Sequence, residues 1–203
     1  MKKEEKTEIT RAKIYAAAIN EFGTNGYAAG SINNICKTGI NKGLVYHNFK
    51  DKDELYLECV RSSCGALARY IADNDAEKGF VEYMSARSAF FKEHEQEAYI
   101  FLEARTNPPV HLINQIRDIF SEIDELNMAV CERELSGHEL RNGVSKEDAL
   151  NYFSEIQRIY NIGFAGSLNG QMSHHEQLAL HEMNIHKIFD LMLYGIAKGE
   201  NES

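Results

Sequence analysis

Apolar residues recur at three- to four-residue spacing along almost the whole chain, the period of a helix buried on one side. The first such run holds Ile14, Ala17, Ala18 and Phe22 behind Thr10, a candidate N-cap, and Gly26 is placed to end it. Ser31 then caps a short second helix carrying Ile32 and Ile35. Gly39 can take the left-handed conformation that stops this helix, Ile40 packs inward, and Asn41 caps a third helix with Val45 and Phe49 at i, i+4. Two short helices divided by a glycine turn make a helix-turn-helix pattern. Further amphipathic helices are expected over 52–72, 77–94 and 95–106. Asn107, Pro108 and Pro109 interrupt the series, because proline lacks an amide donor and restricts the residue before it. The period resumes over 110–135 with Leu112, Ile116, Ile119, Phe120 and Ile123, and 136–145 is polar and reads as a loop.

The last two helices, expected over 146–169 and 176–197, are apolar on more than one side. Leu150, Phe153, Ile156, Tyr160, Phe164 and Leu168 share one face of the first, with Tyr152, Ile159, Gly163 and Gly166 on another. The second carries Leu178, Ile185, Ile188, Phe189, Met192 and Ile196, with Leu180, Met183, Leu191 and Tyr194 continuing around it. A helix apolar on two faces must bury both. One side can serve the protomer's own core and the other a second copy, which places Tyr152, Ile159, Gly163, Gly166, Ile185, Phe189 and Met192 in an expected dimer interface. A wholly internal helix in a monomer is the alternative. No strand is expected, so the fold class is all-α.

Charge changes the picture by its distribution. The formal net charge is −9, yet residues 1–53 hold nine Lys/Arg against six Asp/Glu, while the remainder holds 13 against 25. A basic lobe on an acidic body can meet a polyanion through the lobe alone; a mildly basic solvated face is the plainer reading. Residues 1–10 are charged rather than apolar and no run approaches the roughly 18 apolar residues of a membrane span, so a soluble cytoplasmic protein with no membrane partner is expected. Cys36, Cys59, Cys64 and Cys131 lack CxxC spacing and fit free thiols packed within helices.

On a third helix starting at Lys42, Val45 and Phe49 point inward and leave Lys42, Gly43, Leu44, Tyr46 and His47 outside, a face suited to a DNA major groove. Lys42 can donate to guanine O6 and N7, Gly43 lets the backbone approach closely, and Leu44 can touch a thymine methyl. Tyr46, His47 and Asn48 can donate to phosphate oxygens, with Lys52 at the next helix start and Ser31 and Asn33 on the preceding helix. A packing motif without nucleic acid is the alternative. Thr10-Arg11, Ala17-Ala18, Phe22, Gly26-Tyr27, Ser31-Ile32, Ile35, Gly43, Val45-Tyr46, Phe49 and Lys52 stand in an order that resembles the N-terminus of the tetracycline-repressor (TetR/AcrR) family over about residues 8–60. The resemblance implies an N-terminal three-helix helix-turn-helix DNA-binding domain (1–52) and a C-terminal helical ligand-binding and dimerisation domain (53–203). It also implies base-contacting roles for Asn33, Lys42 and Leu44, a phosphate-contacting Tyr46, a capping Ser31 and a cationic Lys52. Two features depart from the family pattern. Asn48 stands where an imidazole is usual, and three residues rather than four separate Cys36 from Ile40.

Other signals point away from chemistry. His181 and His186 are five apart, off one helical face, so they miss HExxH spacing; His174, His175, His181 and His186 could still join a metal site with groups from elsewhere. The stretch with Gly163, Gly166 and Gly170 lacks both the P-loop GK[ST] and the GxSxG of a nucleophile elbow. The expected function is a ligand-responsive DNA-binding transcriptional regulator, a homodimeric repressor that releases a palindromic double-stranded operator on binding a small-molecule effector; no enzyme activity, cofactor or metal is expected. A metal-responsive regulator, an interaction protein using the three-helix lobe, and a helical enzyme are the rivals. Tyr83, Phe90, Tyr99, Phe120, Met128, Tyr160 and Phe164, with Phe80 and Phe101, are candidates to line an aromatic pocket; residues at this helical spacing are more often plain core, and the acidic body favours a cationic or neutral ligand.

Overall fold

Two polar side chains decide where the shortest helices begin. Ser31 Oγ accepts the Asn34 amide at 3.1 Å, and Asn41 Oδ1 accepts the Gly43 amide at 2.7 Å, each with the cap residue in extended conformation. These start α2 (Ile32–Cys36) and α3 (Lys42–Asn48) in a computed structural model that describes residues 3–167 and 172–194, without the side chains of residues 3–7 and 77. Leu168, Gly170 and Ile196 lie outside the described residues. The turn between α2 and α3 is reached by ending α2 early, with Gly39 at φ 92°, so the short Cys36–Ile40 spacing leaves the caps and the buried Ile32 and Ile35 in place.

Ahead of them runs α1 (Lys3–Ala29). Thr10 does not start this helix, because the Lys- and Glu-rich residues before it are themselves good helix formers and extend it to Lys3. Gly26, at φ 70° and ψ 177°, breaks the helix where its end was expected. The body comprises α4 (Lys52–Asp73), α5 (Phe80–Glu93), α6 (Glu95–Thr106), α7 (Ile113–Leu135), α8 (Lys146–Ser167) and α9 (His174–Tyr194). Short 3-10 turns at Ala76–Lys78 and Val110–Leu112 occupy what the period assigned to the first turns of α5 and α7. Among the described residues there is no strand, and no helix is long and apolar enough to cross a membrane.

The core is continuous from lobe to body: Ile14, Phe22, Val45 and Phe49 join Leu55, Tyr56, Phe90, Phe101 and Phe120, all nearly inaccessible to solvent. α1 packs along α6 and α4, so the three-helix lobe sits on the body through a broad contact. Cys59, Cys64 and Cys131 are buried free thiols, and burial pushes Cys64 and Cys131 up to about 12, which keeps them protonated and unreactive.

At the other end, α8 and α9 divide their apolar residues differently from the expectation. Ile185 and Phe189, expected at a dimer interface, are buried inside the protomer; Phe189 stacks on Phe80 with centroids 3.6 Å apart and meets Phe153 edge-on at 5.1 Å. The period identifies the faces of a helix, not which of them its own body covers. Exposed instead are Tyr152, Ile159, Gly163 and Gly166, joined by Ile162, Met183, Leu191 and Tyr194; Met192 is half-buried.

Candidate nucleic-acid interface

α3 turns Val45 fully inward and leaves Lys42, Gly43, Leu44, Tyr46 and His47 exposed, with Leu44 and Tyr46 close to half accessible despite their apolar area. A side chain of that kind held in water on a well-packed helix is available to a partner. Lys42 Nζ donates to Asn33 Oδ1 at 2.9 Å and lies 5.9 Å from the Tyr46 ring centroid. Two of the three residues assigned to base reading thus come together from α2 and α3. Asn48 is turned back, its amide donating to the Leu44 carbonyl at 2.8 Å, so that donor serves the helix end rather than facing outward.

The scaffold under this face contains acids that the pattern of apolar residues does not reveal. Glu21 Oε1, almost buried, accepts the Ser31 amide at 3.0 Å and the Asn34 side-chain amide at 2.9 Å, tying the start of α2 to α1. Arg11 lies over the Phe49 ring at 4.8 Å and braces the end of α3. Lys52 is half-buried with Nζ 4.3 Å from the Tyr27 ring centroid. The Tyr27 hydroxyl donates to Asp53, and His111 from the turn before α7 lies 3.0 Å from the same carboxylate. The Tyr27 hydrogen bond holds the Asp53 carboxyl below the usual carboxylate range, against the effect of burial.

Glu103 on α6 is the principal polar link between lobe and body. Its two oxygens each lie 2.9 Å from the Tyr27 amide, and Oε2 also accepts the Tyr56 hydroxyl at 3.0 Å. Gly26 makes this approach possible: its φ is positive, and a Cβ there would come within 2.5 Å of Glu103 Oε1. Burial lifts the Glu103 carboxyl above its ordinary range, partly countered by the hydrogen bonds from Tyr27 and Tyr56.

Residues 14–59 match the family model described as bacterial regulatory proteins, tetR family. The N-terminal domain belongs to the tetR family. Among similar proteins are the HTH-type transcriptional repressors AcnR of Corynebacterium diphtheriae, 29% identical over 92 residues (44% of this chain and 46% of that one), and of Corynebacterium glutamicum, 28% identical over 81 residues (39% and 41%). These matches span less than half the length of either relative. The tetR-like fold extends further. The transcriptional regulator FadR from Bacillus subtilis, solved in complex with stearoyl-CoA, superposes with a TM-score of 0.60 at 17% identity, covering 92% of this chain and 100% of that one. The fatty acid degradation regulator FadR from Bacillus halodurans gives 0.62 at 14% identity, covering 94% and 97%. The tetR domain thus stands at the head of a helical body of the same architecture.

The residues weighed as a cavity lining or as plain core lie in or beside the packed interior of that body. Tyr83, Phe90, Phe120 and Phe164 are buried in the packed interior, with Tyr99, Met128 and Tyr160 partly covered beside it. Apolar rings at helical spacing fill a core as readily as they line a pocket, and here they fill it. The histidines are separately engaged. His174 stacks on Tyr99 at 3.4 Å, while His181 is buried between Glu182 at 3.1 Å and Asn161 at 2.9 Å. Among the described residues no three His, Cys, Asp or Glu side chains gather closely enough to hold a metal ion.

Proposed function

We propose that the chain is a homodimeric transcriptional regulator of the repressor type, acting in the cytoplasm, whose α3 helices enter successive major grooves of a palindromic operator and leave it when a small molecule binds the helical body. It works by binding and not as an enzyme. The observation that carries this reading is the exposed face of α3: Lys42, Gly43, Leu44, Tyr46 and His47 project from a capped helix whose Val45 is anchored in a tetR-family domain. Lys42 with Asn33 and Leu44 suits base edges, and Tyr46, His47 and Lys52 suit phosphates. The exposed apolar strip from Tyr152 to Gly166, with Met183, Leu191 and Tyr194, supports α8 and α9 as the surface that pairs with a second copy. Half-sites about 34–36 Å apart make such a dimer sensitive to small changes in the separation of its α3 helices.

Selection from random duplex DNA with the purified protein, followed by sequencing, tests the proposal: a palindrome with one helical turn between half-sites is expected, and no enrichment at modest salt rejects it. Single substitutions then separate the roles. Lys42→Ala should relax preference at one position per half-site, at a cost of about 1–3 kcal/mol. By contrast, Tyr46→Ala and Lys52→Ala should weaken all duplexes alike, with the salt slope falling by about one for Lys52→Ala.

Glu103 gives the body its hold on the DNA-binding lobe. Glu103→Ala leaves the Tyr27 amide and Tyr56 hydroxyl without their acceptor, an expected loss of about 1–3 kcal/mol in denaturant unfolding. Hydrogen exchange should rise first at residues 27–30, next to the broken α1 end; unchanged exchange there would show that the carboxylate does not fasten the lobe.

A further inference from the structure

α5 and α9 pack against one another in opposite directions. Phe80 at the start of α5 meets His186 and Phe189, Arg87 meets Glu182 midway, and Lys92 and His175 lie together at the far end. Beside this contact lies an open cleft of about 770 Å³, inside the range of about 300–1,000 Å³ typical of small-molecule sites. Met84, Phe91, Leu178 and Met183 give it apolar walls. Val81 and Met183 are 65% and 59% exposed, large apolar side chains left in water at its edge. From Val81 to Lys92 the cleft follows α5 for about 16 Å, the reach of a medium-chain acyl group.

Its charges are unequal end to end. Glu182 is held by the Arg87 guanidinium through two 2.8 Å hydrogen bonds, so the pair presents no net charge to an occupant. Glu176, hydrogen-bonded to Ser173 and close enough to His175 to interact with it, and Glu93, hydrogen-bonded to the Tyr70 hydroxyl, keep their charge, but neither lines the cleft. Lys92 has no ion-pair partner among the described residues, and it lines the same cleft as His175. The acidity of the whole body favours a cationic or neutral ligand; the cleft's own lining favours the opposite.

We propose that the cleft between α5 and α9 binds a single-chain amphiphile, its anionic head at Lys92 and His175 and its acyl tail along Met84, Leu178 and Met183. The proposal rests on the regulator reading only in regarding that molecule as an effector, and binding is measured without DNA, so failure of either is seen separately. Isothermal titration calorimetry of the full chain with sodium dodecanoate and with dodecyltrimethylammonium, both below micelle formation, provides the test. Dodecanoate is expected to bind at least about tenfold tighter than the cation, since tenfold corresponds to only about 1.4 kcal/mol. Lys92→Glu should abolish that preference. Ala179→Trp, introduced from an exposed position into the cleft, should weaken dodecanoate at least about tenfold while helical circular dichroism is retained; Ser88→Trp replaces it if that variant unfolds. Equal affinity for both head groups, or dodecanoate binding untouched by Lys92→Glu or by the cleft-filling tryptophan, overturns the proposal.

Discussion

Arg87→Ala should lower the free energy of unfolding by about 3–5 kcal/mol, because it strands the Glu182 carboxylate in the interior. Arg87 and Glu182 are 5% and 9% exposed and joined by two 2.8 Å hydrogen bonds, and the guanidinium lies within 5.2–5.6 Å of the Tyr83, Phe91 and Phe101 ring centroids. Removing both charges at once is a different experiment. Arg87→Met with Glu182→Leu should come close to the parent or exceed it, since no unpaired charge remains. Urea unfolding of the single and double variants checks both, and a single variant within about 1 kcal/mol of the parent would show the pair to be solvated in solution.

The same pair fixes the acid limb. Burial alone would raise the Glu182 carboxyl, but Arg87, with His181 assisting, reverses this and holds it down to about 2. A lowered folded value means stability that is complete above the unfolded value near about 4.3 and disappears as pH falls toward about 2. Parent stability should therefore drop through that window, and the Met/Leu double variant should show a flatter profile.

Phe189→Ala is expected to cost about 3–5 kcal/mol in the protomer's own unfolding, since it empties the space between Phe80 and Phe153. Ile159→Asp should do the reverse: little change in helicity, but conversion of dimer to monomer in sedimentation at micromolar concentration. If Ile159→Asp stays dimeric, or Phe189→Ala dissociates a pair without loss of stability, the exposed strip on α8 is not the pairing surface.

What the residue order discloses is mostly local. Ser31 and Asn41 cap helices that start one residue later, Gly26 and Gly39 stand where positive φ is needed, and Val45 and Phe49 are inward, all within a few positions of one another. The exposed face of α3 follows from the same short-range geometry. Contacts that join distant positions leave no comparable trace. Arg87 and Glu182 are 95 positions apart and Glu103 and Tyr27 are 76 apart, and the type of a charged residue does not say whether tertiary packing will bury it. Phe120 and Phe164 are buried, and the rings and spacing alone leave both a cavity wall and a filled interior open. On α9, two apolar faces were visible but not which one the body claims.

If α3 reads DNA as proposed, the contact between Lys42 and Asn33 bears on how a target is found. While the two were latched, the tyrosine and lysines around them would still ride along a phosphate backbone, so travel over unrelated duplex would proceed with the proposed reading groups sheathed. Unlatching gives up one bond, and only a base edge able to replace it compensates for the exchange. Such an arrangement would trade part of the final grip for sharper refusal of near-matches.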